Sequence, residues 1–203
     1  MLTTLLASQK VMRLFFLHSN KGKEAKDREA RKRGGNSKIR GISNDQVAVI
    51  VTQDRKSTLD LSVVTLGRIK KVDIKKAIGK RVSKQQTILC SDAHVSYKGF
   101  AMDCELEHHT LKGVTKERVK EKVYHIQHVN STHNKVKKWI ESTFWGVATK
   151  YLQQYLNWYR FKEKLKHENN KLKVFTEKVC QNSLAYQKYL EIENNYQILI
   201  STQ

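Results

Sequence analysis

The first two thirds of the chain alternate between strand-like and helix-like hydrophobic patterns. Residues 46–55 (QVAVIVTQDR) and 58–67 (TLDLSVVTLG) are rich in Val, Ile and Leu, which predicts two strands joined by a hairpin turn. Residues 72–82 carry apolar side chains at helical spacing, and QTILCSD returns to the strand pattern. A short helix or turn at 93–103 and a short strand at 106–113 follow. This order predicts an α/β domain with a mixed sheet.

From residue 133 onward the apolar period is helical throughout. Gly146 is expected to divide this stretch into two helices, the second carrying Tyr151, Tyr155, Trp158 and Tyr159 among leucines. An aromatic stripe at this spacing favours core packing over a base-stacking surface. The last segment, 167–203, is predicted to be helical with a polar end.

The net charge of the chain indicates which kind of molecule it binds. Lys and Arg total 39 against 19 acidic residues, a formal net charge of +20, which indicates a polyanionic partner and most simply a nucleic acid. No apolar run reaches the about 18 residues that span a bilayer, and the first residues lack the features of a signal peptide, so no membrane is expected. The interpretation is a cytoplasmic, nucleoid-associated protein. The basic segment 20–41 predicts an exposed loop, either a DNA-contacting arm or simply a soluble connection.

Cysteine and histidine spacing argues against a metal centre built on these residues. The three cysteines form no CxxC pair, which excludes a zinc ribbon, and an odd, widely spaced set gives no disulfide framework. His125 and His128 suit a metal only on a helix, whereas their context is equally consistent with a strand, where they face opposite sides. No Gly-rich phosphate loop of the P-loop type is present.

Asp92 follows a predicted buried strand and raises the question of metal chemistry. An Asp at this point can cap the next helix, or it can be a metal ligand. Two magnesium ions held by carboxylates from different elements would support phosphodiester chemistry, but the pattern alone leaves both readings open.

Four stretches in order carry a resemblance to a known family: SDAHVSYKGFA, HHTLKG, YHIQHVNSTHNKVKKWI and GVATKYLQQYLNWYRF. Together they resemble the catalytic domain of bacterial insertion-sequence transposases, in the ISXO-like group of the DDE class, which implies a ribonuclease-H-like fold. The resemblance covers roughly residues 15–165, including the basic loop 20–41. It leaves 1–14 as a leader outside the family and 166–203 as a helical tail.

The family implies metal-dependent DNA cleavage and strand transfer, with Mg²⁺ or Mn²⁺ as cofactor. Its DNA partners are the ends of an insertion sequence and the target, and a homo-oligomer is left open. Asp92 matches the second catalytic Asp and would be a metal ligand. The third catalytic position falls nearest Asn130 and His133, with Glu141 as runner-up. The ordinary interpretation of Asn130 and His133 is capping at the start of a helix.

The first catalytic Asp is missing, because the three positions before Phe15 are Met12, Arg13 and Leu14. The sequence is therefore expected to be an inactive, truncated or frameshifted copy, with residues 1–14 poorly ordered or forming a makeshift edge strand.

Phosphate contacts are expected from basic residues in two regions. They are Lys21, Lys23, Arg31, Lys32, Arg33, Lys38 and Arg40 in the basic loop, and Lys135, Lys137 and Lys138 further along. The competing hypothesis is a non-catalytic, basic nucleic-acid-binding protein that uses the same surface. A structural RNA-associated domain is a third, weaker reading.

Overall fold

A computed structural model of the chain describes residues 8–22, 37, 39–54, 58–84, 87–110, 119–120, 124–125, 127–180 and 185–201. Its strands are β1 (Gln9–Leu17), β2 (Gln46–Gln53), β3 (Leu59–Leu66), β4 (Ile88–Ser91), β5 (Glu107–Thr110), β6 (Val119–Lys120) and β7 (Tyr124–His125). Its helices are α1 (Lys71–Ile78), α2 (Val95–Asp103), α3 (Gln127–Phe144), α4 (Leu152–Leu165), α5 (Lys171–Cys180) and α6 (Ala185–Ser201). The predicted α/β class is confirmed.

Five strands form the main sheet in the order β3-β2-β1-β4-β5. β1, β2 and β3 run antiparallel, whereas β4 runs parallel to β1 and β5 runs parallel to β4. Parallel neighbours need a crossover connection, and α2 supplies it between β4 and β5. This mixed sheet has the ribonuclease-H-like arrangement that was expected. β6 and β7 pair with each other in a separate ribbon.

β1 lies at the centre of the sheet, between β2 and β4. It begins at Gln9, and Gln9, Lys10 and Val11 are almost fully buried. The expectation that residues 1–14 are poorly ordered or form an edge strand is therefore wrong for residues 9–14, and the expected boundary at residue 15 falls inside β1. Backbone pairing on both sides satisfies the N–H and C=O groups of this polar-looking segment, which its side-chain pattern did not reveal. Residues 1–7 lie outside the described residues.

Helices cover both faces of the sheet, because successive side chains of a strand point to opposite faces. Val47, Val49 and Val51 of β2 pack on one face with apolar residues of α3 and α4, whereas Ala48 and Ile50 pack on the other face with α1 and α2. A strand covered on both faces reads as a continuous apolar run, which is the pattern of residues 47–51.

The connection between α3 and α4 follows the predicted break at Gly146. α3 ends at Phe144, and the next two residues have positive φ angles, +53° at Trp145 and +82° at Gly146. The Lys21 ammonium donates hydrogen bonds to the carbonyl oxygens of Phe144 and Gly146, at 3.1 and 3.0 Å. A lysine on the last carbonyls of a helix satisfies groups that have no partner within the helix and opposes the negative end of the helix dipole.

The C-terminal helix α6 packs against the domain. The Tyr196 hydroxyl donates to Asn20 Oδ1 at 2.7 Å and lies 3.1 Å from His18 Nε2, so α6 is tied to the segment that follows β1. α5 and α6 supply the helices predicted for residues 167–203. Among the helices of the described ranges, none has the length and apolar character needed to cross a bilayer.

Candidate active site

Asp92 lies between the end of β4 and the start of α2. The preceding residue, Ser91, is fully buried, and the carboxylate projects beyond the strand with a quarter of its side chain exposed. The N-cap of α2 is His94, whose Nδ1 accepts a hydrogen bond from the backbone N–H of Ser96 at 3.3 Å. Asp92 is therefore not the N-cap of α2, so the capping interpretation of this residue is wrong.

The strongest contact of Asp92 is with β1. Arg13 Nη2 donates to Asp92 Oδ2 at 2.7 Å, and the other carboxylate oxygen accepts from the backbone N–H of His94 at 3.3 Å. Because β1 and β4 are parallel neighbours with Val11 opposite Ser91, Arg13 and Asp92 leave the sheet at the same end. Arg13 is the middle one of the three positions before Phe15, the stretch from which the first catalytic Asp is missing.

Met12 and Leu14, the other two of these positions, pack into the hydrophobic cluster on the α3–α4 face. Alternation along the strand therefore leaves Arg13 as the position that faces Asp92. A guanidinium thus stands beside this carboxylate, where a metal site would need a second carboxylate.

Three buried polar atoms belong to Arg13 or to residues whose pKa the Asp92 charge affects: Arg13 Nε, Tyr97 Oη and His133 Nε2. None of them has a hydrogen-bond partner in the described part of the chain. Tyr97 is fully buried, and burial together with the Asp92 charge raises the pKa of its hydroxyl, while Arg13 acts in the opposite direction. Burial and then Lys137 lower the pKa of His133 to about 4, against an opposing effect of Asp92. The Asp92 charge thus contributes to the pKa of both side chains.

Two further histidines near Asp92, His94 and His108, have lowered pKa values. Burial, followed by the Arg13 charge, lowers the pKa of His94, and Asp92 opposes that shift. Burial also lowers the pKa of His108 on β5, whose Nε2 lies 2.8 Å from Ser91 Oγ. The site is therefore lined by histidines that favour the neutral form.

The candidates for the third catalytic position lie on α3. Because α3 begins at Gln127, Asn130 and His133 are inside the helix, and their interpretation as caps at its start is wrong. His133 is half-buried and its pKa is affected by the Asp92 charge, whereas Asn130 is exposed. Glu141 is exposed and lies eight residues beyond His133, about 12 Å along the helix. Of these candidates, His133 is the one whose pKa responds to the Asp92 charge.

The described residues do not fit a divalent metal site. Within the ranges that the structure describes, no group of three or more His, Cys, Asp and Glu side chains could hold a metal ion. Mg²⁺ prefers several carboxylate oxygens, and here the one carboxylate is already paired with a cation. The expected role of Asp92 as a ligand thus has no supporting ligand set in this part of the chain.

The predicted DNA contacts divide into three groups. Lys135 and Lys138 on α3 are exposed, as is Arg40, whereas Lys137 is half-buried next to His133. Lys21 is exposed, but its ammonium is bound to the end of α3. The following predicted contacts lie outside the described residues: Lys23, Arg31, Lys32, Arg33 and Lys38. His125 and His128, the disfavoured metal pair, have side chains outside the described part.

Comparison with known proteins gives a family. Residues 16–164 match the model of the ISXO2-like transposase domain. The chain belongs to the ISXO2-like transposase family. This match covers β2–β5 and α1–α4 but only the last two residues of β1, since it begins at residue 16. The resemblance stated from the sequence is confirmed.

Two further comparisons add little to this assignment of the transposase domain. No curated protein matches the chain. A pre-cleavage Mos1 transpososome is similar at 9% identity, over 76% of this chain and 52% of that one, with a TM-score of 0.31. The chain spans about half the length of that protein, and a likeness at this level carries no argument.

The sequence reasoning missed the roles of Arg13, Tyr97 and His94 around Asp92. The sequence shows Arg13 in the stretch where an acid is absent, but its pairing with Asp92 depends on which strand lies next to β1. Tyr97 belongs to the apolar face of α2, and only its buried hydroxyl distinguishes it from an ordinary core residue.

Proposed function

We propose that this transposase-family domain binds DNA without cleaving it. The observation that supports this most is the contact between Arg13 Nη2 and Asp92 Oδ2 at 2.7 Å. It fills the place beside the carboxylate with a fixed positive charge, so the domain keeps the scaffold of the family and not its two-metal chemistry.

Electrostatics explains why a metal would not displace this contact. Two unit charges about 4 Å apart interact by about 4 kcal/mol at the effective dielectric typical of sites near a protein surface. A dication beside the pair would be attracted by the Asp92 carboxylate and repelled by the Arg13 guanidinium, each by about twice that value, so the two effects largely cancel and one carboxylate offers little net attraction. Arginine does not lose its proton at working pH, so the repulsion persists.

DNA binding is supported by the charge and its placement. The chain carries a net charge of +20, and Lys135 and Lys138 project from one exposed side of α3, the helix that also places His133 near Asp92. Each phosphate contact of this kind releases counterions, so affinity should fall steeply as salt rises. The ends of an insertion sequence and its target remain the proposed DNA partners, and a homo-oligomer is part of the same proposal.

A paired assay tests both halves of the proposal. Binding is measured by fluorescence anisotropy of a labelled DNA duplex at several salt concentrations, and cleavage by nicking of a supercoiled plasmid with Mn²⁺. We expect salt-dependent binding and no nicking above the level without protein. Nicking that requires Mn²⁺ and disappears in the Asp92→Asn variant would overturn the proposal.

A charge-matched pair of variants locates the binding surface. Replacing both Lys135 and Lys138 by Gln should weaken duplex binding and reduce the salt slope by about two, since about 0.9 counterion is released per contact. Replacing Lys75 and Lys76, two exposed lysines of α1, removes the same charge from the opposite face of the sheet. Equal weakening in both variants would show that net charge alone, and not the α3 surface, holds DNA.

A further inference from the structure

Aromatic rings join the end of α3 to α4 in one rigid cluster. The ring centre of Trp139 lies 4.9 Å from that of Phe144 and 5.5 Å from that of Trp158, with both pairs nearly perpendicular. The Phe144 ring is also 4.7 Å from Tyr155 and 5.6 Å from Trp158. Edge-to-face contacts of this kind fix the orientation of each ring. Trp158 thus lies against three rings, those of Trp139, Phe144 and Tyr155.

One indole side chain of this cluster and one that follows it in the chain are nevertheless largely exposed. Trp158 is 53% exposed, and Trp145, which directly follows Phe144 in the chain, is 65% exposed. The predicted core role of the aromatic stripe holds for Tyr159, which is buried, and fails for Trp158 because α4 turns that side away from the sheet. Large aromatic side chains that are exposed next to one another mark an interaction surface more often than chance exposure.

The charges beside these rings favour an anionic partner. Lys162 Nζ lies 4.9 Å from the Trp139 ring centre and 5.2 Å from that of Tyr159, and Lys138, next to Trp139 in the chain, is exposed. One exposed acid, Glu141, lies on the same helix, and the Glu163 carboxylate is bound by Lys166. Cations beside exposed aromatic rings suit a ligand with alternating phosphates and flat bases.

We propose that Trp158 and Trp145 form a stacking platform for unpaired DNA bases, with Lys138 and Lys162 facing the adjoining phosphates. This inference rests on the proposed DNA binding and adds the form of DNA that is preferred. In a duplex the faces of each base are covered by its neighbours, so only an unpaired nucleotide can offer a free face to an indole ring. The platform would therefore distinguish DNA with single-stranded ends from blunt duplex.

The test compares a blunt labelled duplex with the same duplex carrying a short single-stranded thymine tail. For the full chain, we expect tighter binding of the tailed DNA, by about 5- to 150-fold in Kd if one base stacks. The tail should also quench tryptophan emission, because two of the three tryptophans of the sequence, Trp139 and Trp158, lie in this cluster and the third, Trp145, directly follows Phe144 in the chain.

Three variants separate stacking from general effects. Trp158→Ala should remove most of the preference for the tail and leave blunt-duplex binding unchanged, while Trp158→Phe should retain part of it because a ring remains. Trp145→Gly should reduce the preference without harming the fold, since glycine tolerates the φ of +53° at this position. The matched control is Leu172→Ala, which removes another exposed apolar side chain, 77% exposed on α5.

The outcomes are distinguishable. Equal binding of tailed and blunt DNA by the unmodified chain, or a preference unchanged in both tryptophan variants, would refute the platform and leave DNA binding in place. Failure to bind either DNA would refute the proposed function as well. A change in molar mass by light scattering in Trp158→Ala, with an unaltered preference for the tail, would show that the rings bind a second copy of the chain and would also overturn the proposal.

Discussion

Replacing Asp92 by Asn is expected to destabilise the domain. The change keeps the shape of the side chain and an oxygen that can accept from the backbone N–H of His94, but it removes the charge that Arg13 faces at 2.7 Å. Arg13 would then keep a guanidinium that is 18% exposed and has lost its carboxylate partner. The substitution should therefore lower the free energy of unfolding, because an ion-paired carboxylate stabilises the fold. A carboxylate placed among other acids in a metal site would not stabilise it, and its replacement would not have this effect.

The magnitude lies between two known limits. Exposed ion pairs contribute about 0 to 1 kcal/mol, and removing one partner of a buried pair costs about 3 to 5 kcal/mol. With side-chain exposures of 18% and 25%, this pair falls between these limits, so we expect a loss of about 2 kcal/mol in the free energy of unfolding. Equilibrium unfolding in urea measures this loss. An unchanged m-value would show that the substitution altered the stability and not the surface exposed on unfolding.

A double-mutant cycle isolates the pair. Arg13→Met alone should also destabilise the domain, and the double variant should lose less than the sum of the two single losses, with a coupling of about 1 to 2 kcal/mol. An Asp92→Asn protein as stable as the parent or more stable, or a coupling near zero, would refute the view that Arg13 serves as the resident counter-charge of this carboxylate.

Three further variants test other contacts. His133 has a pKa of about 4 in the folded protein and near 6.5 in the unfolded chain, so it is neutral in the fold above pH 4. The free energy of unfolding should therefore fall by up to about 3 kcal/mol as the pH drops from 6.5 to 4. This loss should be absent in His133→Gln when the parent and the variant are unfolded in urea at each pH. Glu105, two residues beyond the end of α2, has a φ of +49° and an exposed ion pair to Lys84, so Glu105→Gly should raise Tm by about 1 to 3 °C in a thermal scan. Lys21→Met should cost about 1 kcal/mol in urea unfolding, because two carbonyls at the end of α3 lose their donor.

Each of these has a contradicting result. Identical pH dependence in the parent and His133→Gln would mean that His133 does not stay neutral in the fold. A lower Tm for Glu105→Gly would mean that the exposed ion pair outweighs the backbone conformation. Unchanged stability of Lys21→Met would leave Lys21 available for phosphate, as the sequence first suggested.

Much of the fold could be predicted because it depends on local patterns. The apolar run of residues 47–51 predicts a buried strand, and helical spacing together with Gly146 predicts two helices from residue 133 onward, the first of which begins at Gln127 in the structure. These signals need only the side chains of one segment. Quoted motifs in order were also enough to identify the family.

The central strand and the site could not be predicted in the same way. Gln9 and Lys10 look like a polar leader, and they become part of β1 because β2 and β4 pair with that segment from both sides. The sequence by itself determined that an acid is missing before Phe15. Only the tertiary structure decided that Arg13 is the residue beside Asp92. Parallel pairing of β1 with β4 brings these two residues, 79 positions apart in the chain, together, with Arg13 Nη2 2.7 Å from Asp92 Oδ2. The same holds for Trp158: its spacing on α4 fits a core, and the packing of α3 against α4 leaves more than half of its ring in solvent.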